Sequence, residues 1–268
     1  MKYSNKKNIK HIINKIFNGK KIEENFVVIH SSSIPLRLNK NDIKIFWKEL
    51  SGFLGNKVTV IMPAFSFGFG INKIWDYHKT KSEMGVLTEY FRTKVSNART
   101  IHPIHSVAYY GPKSHKIPNH YCSSSFGKNS FWDWICNRKD VLNVSIGLGL
   151  VGGAAFVHHV EELAKVPYRE YVSLSGKVYD SFGNLLEKKF TYYARKETKN
   201  KVAENYFDLV EKDLIDHGIM KKKIIGKNLI TTNMNTYKAT RFLINRLKNN
   251  IYYMGHFKKK NVVATKPI

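Results

Sequence analysis

Over the first 165 residues, apolar runs of strand length alternate with stretches whose apolar positions recur at helical spacing. Phe26-Val-Val-Ile29, Val58-Thr-Val-Ile-Met62, Ser106-Val-Ala-Tyr-Tyr110 and Val141-Leu-Asn-Val-Ser-Ile146 read as strands, with Pro63 and Gly111 closing the second and third. Residues 42–53 and 84–95 carry helical spacing, the latter behind a capping Ser82, and 130–137 reads as a short helix. Ile9, Ile12, Ile13, Ile16 and Phe17 form one stripe of an amphipathic helix within residues 1–21. Beyond Pro167 the pattern becomes alternating. Residues 171–179 and 185–194 read as a hairpin across the turn Asp180-Ser-Phe-Gly183-Asn184, followed by a helix at 202–216, a strand at 224–231 and a helix at 236–247.

This order implies an α/β (α+β) fold, a central and mostly parallel sheet flanked by helices, with a smaller β-rich C-terminal subregion. No internal repeat or long linker interrupts it. Residues 1–268 are expected to form one domain, with 1–169 the α/β core and 170–268 a hairpin and helical subregion.

Composition narrows the class. A hydrophobic fraction of 43% with 13% aromatics belongs to a globular chain rather than a disordered one. No apolar run spans a bilayer, and Lys10, His11, Asn14 and Lys15 break up any signal-peptide core. Cys122 and Cys136 form no metal or redox motif, so a reduced, cytoplasmic setting is the expectation. The formal charge of +25 raises the question of nucleic acid. Lysines are spread over the whole chain without zinc-finger or RNA-binding motifs, so no nucleic-acid partner is expected. Such a field attracts anionic small molecules instead.

Four clusters carry chemistry. In Ala155-Phe-Val-His158-His159-Val-Glu161-Glu162, a helix entered from the turn Gly147–Gly153 places His158 and Glu161 on one face, an imidazole beside a carboxylate. Arg99-Thr-Ile-His102-Pro103-Ile-His105-Ser106 holds His102 in a loop stiffened by proline, just before a strand. His30-Ser31-Ser32-Ser33 follows a strand's C-terminal end, where open α/β sheets bind ligands. Gly147-Leu-Gly149-Leu-Val-Gly152-Gly153 matches the dinucleotide fingerprint, but Val166-Pro167-Tyr168-Arg169 cannot be the buried parallel strand that a nicotinamide enzyme needs next. The His158-His159 pair lacks zinc spacing, so no metal is expected.

Taken in order, Val28-Ile-His30-Ser-Ser32, Trp75-Asp76, Ser82-Glu-Met84-Gly85, Ala98-Arg99-Thr-Ile-His102-Pro103, Ser106-Val-Ala, Gly127-Lys-Asn-Ser130, His158-x-x-Glu161 and Pro167-Tyr168-Arg169 resemble the aminoglycoside 3-N-acetyltransferase family, whose fold is distinct from the GNAT acetyltransferases. The resemblance is strong over 26–169 and looser beyond. It implies acyl transfer from acetyl-coenzyme A (acetyl-CoA) to the amine of a small-molecule amino sugar, without a metal. It casts His158 as base, Glu161 as its orienting partner and His102 as a second catalytic group. His30, Ser31, Ser32, Ser106 and Ser130 would contact the coenzyme, and Asp76 and Glu162 the acceptor. Only 20 acidic residues face 45 basic ones, which suits an anionic nucleotide-linked amino sugar for surface-glycan synthesis better than a polycationic antibiotic. Antibiotic resistance is the alternative, a basic nucleic-acid binder the remoter one. A homodimer and an acyl carrier protein as donor stay open.

Overall fold

The computed structural model describes residues 6–119 and 121–259. The helices are α1 (Lys6–Ile16), α2 (Lys40–Leu54), α3 (Phe69–Asn72), α4 (Val86–Lys94), α5 (Phe131–Cys136), the helical turn α6 (Leu150–Gly153), α7 (Val157–Ala164), α8 (Phe207–Asp216) and α9 (Thr236–Asn249). The strands are β1 (Phe26–Ser31), β2 (Thr59–Pro63), β3 (Ile74–Asp76), β4 (Ala98–Arg99), β5 (Val107–Tyr110), β6 (Val141–Ile146), β7 (Arg169–Leu174), β8 (Lys177–Tyr179), β9 (Phe190–Arg195), β10 (Lys201–Asn205), β11 (Met220–Ile225), β12 (Leu229–Asn235) and β13 (Gly255–Lys259).

Seven strands form the central sheet in the order β11-β12-β6-β1-β2-β5-β4. Its middle is parallel, β6-β1-β2, and every pairing outward from there is antiparallel. The expectation of a mostly parallel sheet is corrected accordingly. The edge strands pair through short connections: β4 returns on β5, and β11 on β12 around Gly226, whose φ is +64°. Residues 224–231, read as one strand, are the two arms of that hairpin. The expected helix at 202–216 begins with β10, and only Phe207–Asp216 is helical.

Strand alternation sorts the core into two layers. Val27, Ile29, Val60, Met62, Ala108 and Val144 pack against α1, α2 and α4, where the Ile9/Ile12/Ile13/Ile16 stripe is fully buried. Phe26, Val28, Ile61, Val107 and Tyr109 face the other way, onto α5, α7, α8 and α9. The expected hairpin exists as β7 on β9, but β8 leaves it to pair with β3. Gly176 makes the diversion possible: a Cβ there would sit 2.5 Å from the Lys73 carbonyl oxygen. No described helix is long and apolar enough to cross a membrane.

Candidate active site

The parallel strands end at one edge of the sheet, and a cleft of about 900 Å³ opens there. Its walls come from the β1 end (His30), the segment after β2 (Phe65, Phe67), the turn around α6, the start of α7, and the β7-β9 hairpin. The turn is wired in place. Val151 (φ −61°, ψ 118°) and Gly152 (φ 74°, ψ −10°) form a type II turn, and Glu211 of α8 accepts the Leu150 N–H. Gly147, at φ +78°, passes so close to the Ser32 carbonyl that a Cβ would lie 2.9 Å from its oxygen.

His158 and Glu161 sit one helical turn apart on α7. The imidazole Nδ1–H donates to Glu161 Oε2 at 2.7 Å, and the Glu161 side chain is fully buried while His158 keeps 28% of its own exposed. Arg169, the first residue of β7, places Nε 2.9 Å from the same oxygen and Nη2 3.1 Å from His158 Nδ1, and its Nη1 donates to the Tyr193 carbonyl. Burial would raise the Glu161 carboxyl, but the His158 hydrogen bond and the Arg169 charge hold it below the ordinary carboxylate range. Burial, and then the Arg169 charge, lower the His158 pKa below that of free imidazole, against the pull of Glu161. The ring is therefore neutral at pH 7, with its proton on Nδ1 and Nε2 as the basic nitrogen.

Of the other expected residues, only His30 lines this cleft. Its Nε2 accepts the Ala155 N–H at 3.2 Å, and burial lowers its pKa to about 3. Ser31, one position on, faces the opposite side of β1, and the Ser32 N–H continues the ladder to Ile146 at 2.8 Å. Neither lines the cleft. Ser106 is fully buried, accepting from Arg99 Nε and donating to the Ala64 carbonyl, both at 2.9 Å. It holds up the segment that carries Phe65 rather than facing a ligand. Ser130 caps α5 by accepting the Asp133 N–H.

Asp76 takes the N–H groups of His78 and Lys79 at 2.9 Å each, a turn cap outside the cleft lining. Glu162, one step past Glu161, points elsewhere on α7 and accepts from Ser124 Oγ and Tyr171 Oη. His102 is set back from the cleft: its Nδ1 accepts the Ile104 and His105 N–H groups, and its Nε2 meets the Thr191 carbonyl at 3.2 Å. Its place on the cleft wall belongs to His105, which the same loop presents between Phe65 and Phe126. Arg169 and His105 both lie within the sequence motifs, which assign neither a role. For Arg169 the only signal was its arginine-after-proline position; for His105 it was the second histidine of His102-Pro103-Ile-His105.

Residues 28–248 match the family model described as aminoglycoside 3-N-acetyltransferase. No curated protein sequence matches the chain. Among solved structures, an AAC-IIIb binary with CoASH superposes with a TM-score of 0.73 at 16% identity, covering 91% of this chain and 96% of that one. A mutant of aminoglycoside acetyltransferase AAC(3)-IVa, in complex with a gentamicin, gives 0.71 at 18%, covering 91% and 89%. The YokD protein from Bacillus subtilis gives 0.70 at 18%, covering 90% and 93%. These likenesses establish a shared fold. The family-model match places the chain in the aminoglycoside 3-N-acetyltransferase family.

Proposed function

We propose that this member of the aminoglycoside 3-N-acetyltransferase family transfers an acetyl group from acetyl-CoA to an amino group of an amino sugar, with His158 as general base. The observation that carries the reading is the His158–Glu161–Arg169 unit on the wall of a cleft large enough for a thioester arm and a sugar together. Phe65, Phe67, Met84, Leu150 and Val151 line it, an apolar surface that suits a pantetheine chain, with His30 at its floor. A sugar ammonium does not attack a thioester; its neutral amine does. Nε2 of His158 takes that proton, and Glu161 keeps the ring in the required tautomer and stabilises the cation that forms.

For the acceptor, the reading is a nucleotide-linked amino sugar. Beside the overall charge of +25, Arg195 stands directly opposite Arg169 in the β7-β9 ladder and lines the cleft, as does Lys73. An aminoglycoside is the second reading, favoured by Glu204 and Asp208 on the same lining and by the family match. Thiol release from acetyl-CoA, measured across nucleotide amino sugars, free amino sugars and aminoglycosides, decides between them. Turnover of the nucleotide sugars, with an advantage that shrinks as salt rises, supports the first. Turnover of gentamicin-like compounds alone replaces it with the second, and no thiol release with any acceptor refutes the transferase reading.

A further inference from the structure

Besides His158 the cleft is lined by His30, whose Nε2 is taken by the Ala155 N–H, and by His105, whose hydrogen bonds specify which nitrogen carries the proton. The order of protons is set at His102. Its Nδ1 accepts two backbone N–H groups, those of Ile104 at 3.2 Å and His105 at 3.1 Å, so Nδ1 carries no proton and Nε2 does. That Nε2–H lies 3.2 Å from both the Thr191 carbonyl oxygen and Ser125 Oγ, two atoms that can accept it. Ser125 Oγ is therefore an acceptor towards His102 and has its own hydrogen to give. The nearest partner for it is His105 Nδ1 at 2.8 Å, against 3.4 Å for the Thr191 carbonyl. An imidazole nitrogen that accepts is unprotonated, which leaves the proton of His105 on Nε2.

His105 lines the cleft with Nδ1 turned back to Ser125, so Nε2–H is the edge it offers to a ligand. The Phe126 ring separates it from the base, with centroids 4.7 Å from His105 and 5.4 Å from His158. Phe65 meets the His105 ring edge-on at 4.8 Å, and together with the relay this fixes the imidazole plane. His158 and His105 thus have opposite polarity: His158 is proton-bearing at Nδ1 and basic at Nε2, whereas His105 is a donor at Nε2.

We infer that His105 is the electrophilic partner of His158, its Nε2–H donating to the carbonyl oxygen of the acyl donor as negative charge develops there. The inference rests on the acyl-transfer reading above. No bond to His105 forms or breaks. The amine nitrogen bonds to the carbonyl carbon, the carbon–sulfur bond breaks with its electron pair going to sulfur, and the amine proton passes through His158 Nε2 to the departing thiolate. The donor must remain neutral to hold its position through this exchange. Burial, and then the neighbouring charges, push the His105 pKa well below the free-imidazole value, so it does not compete with the substrate amine for a proton. Ser125 and His102 are positioning residues: they touch no substrate and act by fixing the tautomer.

Two measurements test this. In the free protein at neutral pH, ¹⁵N-edited NMR of the histidine rings should show His105 protonated at Nε2 and bare at Nδ1, with Ser125→Ala mixing the tautomers. A proton on Nδ1 in the unaltered protein, or a charged ring, overturns the relay whatever the enzyme acts on. In thiol release from acetyl-CoA, His105→Leu should lower kcat by about 10²- to 10³-fold, the usual cost of one such donor, with both KM values within a few-fold. His105→Gln carries an amide nitrogen to the Nε2 position and should recover at least about tenfold of that loss. Near-normal kcat in the leucine variant, a loss confined to KM, or a glutamine variant no better than leucine rejects the role. Absence of thiol release by the unaltered enzyme is a failure of the transferase reading instead, and the NMR arm still tests the tautomer.

Discussion

Replacing Glu161 with glutamine touches the proposed base and the buried ion pair at once, in ways that can be read apart. The wild-type carboxylate accepts from His158 Nδ1 at 2.7 Å and pairs with Arg169 Nε at 2.9 Å through one oxygen, fully out of solvent. A glutamine amide that turns its NH₂ to His158 would donate to Nδ1 and move the ring proton to Nε2, the atom that must accept one. Loss of the correct tautomer and of the stabilising charge should lower kcat by roughly 10²- to 10⁴-fold. Arg169 then remains buried with the Tyr193 carbonyl but no counter-charge, a change that costs about 3–5 kcal/mol. At roughly 2–4 °C per kcal/mol for chains of this size, the melting temperature should fall on the order of 10 °C.

The pH profile adds a sign. Glu161 holds the His158 pKa up, so its loss moves the acid limb of kcat/KM to lower pH; Arg169→Met removes a cation that holds it down and should move the limb up. Thiol-release kinetics from pH 5 to 8 and thermal melts of both variants supply the measurements. Unchanged kcat with an unmoved limb in the glutamine variant would refute the coupling, and an unchanged melting temperature would refute the buried pair.

His158→Ala should remove turnover by about 10²- to 10⁴-fold while calorimetric affinity for coenzyme A stays nearly the same; activity within a few-fold of wild type removes it as the base. Ser106→Ala should destabilise by about 1–3 kcal/mol, because Arg99 Nε loses a buried acceptor, and leave the acetyl-CoA KM unchanged; a raised KM at unchanged stability would return Ser106 to the coenzyme. Acid should weaken the fold early. His30 and His102 titrate at about 3 and about 4 in the folded chain, both because of burial, so below the ordinary 6.5 the unfolded state binds protons the folded state refuses. That stability is complete above pH 6.5 and drains away as pH falls through 6.5 towards 4, at about 1.4 kcal/mol per pH unit for each histidine. Urea melts giving the same stability at pH 7 and pH 5 would contradict it.

The strands of the sheet's middle were legible because burial on both faces makes each a nearly continuous apolar run, as in Phe26–Ile29. Its edges were not. β11 reads Met-Lys-Lys-Lys-Ile-Ile, a lysine run that an edge strand tolerates, so only its last residues carried a strand signal and the hairpin merged into one run. The His158–Glu161 pair was visible since both members lie on one helix, at a spacing that forces contact. Arg169 completes the unit from another element, and no spacing rule reaches across Pro167 into a strand. Which of His102 and His105 meets the cleft turns on one local fact, that the His102 ring folds back to accept its own loop's N–H groups. The serines misled because hydroxyls after strands serve the fold as readily as a ligand: strand phase turns Ser31 away, and Ser106 is spent on Arg99.

The electrostatics of His158 bear on the proposed acceptor as well as on its proposed role as base. Its pKa is pushed down by burial, by Arg169 and, more weakly, by Arg195, while Glu161 pulls it up. A general base works best with a pKa near the operating pH, and depression far below that value weakens proton abstraction. A polycationic acceptor brought beside this ring adds charge of the same sign as Arg169 and Arg195 and depresses it further. A phosphate held at Arg195 does the opposite, cancelling one depressing charge and returning basicity to Nε2 only while the acceptor is bound. Arg195 is placed for that role: it faces Arg169 across the ladder, where two like charges are unfavourable, and of the two only Arg169 is answered by Glu161. Glu204 lies on the same wall, but its carboxylate pairs with Lys258. Under the nucleotide-sugar reading the acceptor's phosphate supplies the counter-charge to Arg195, whereas an aminoglycoside would meet Asp208 on the same lining.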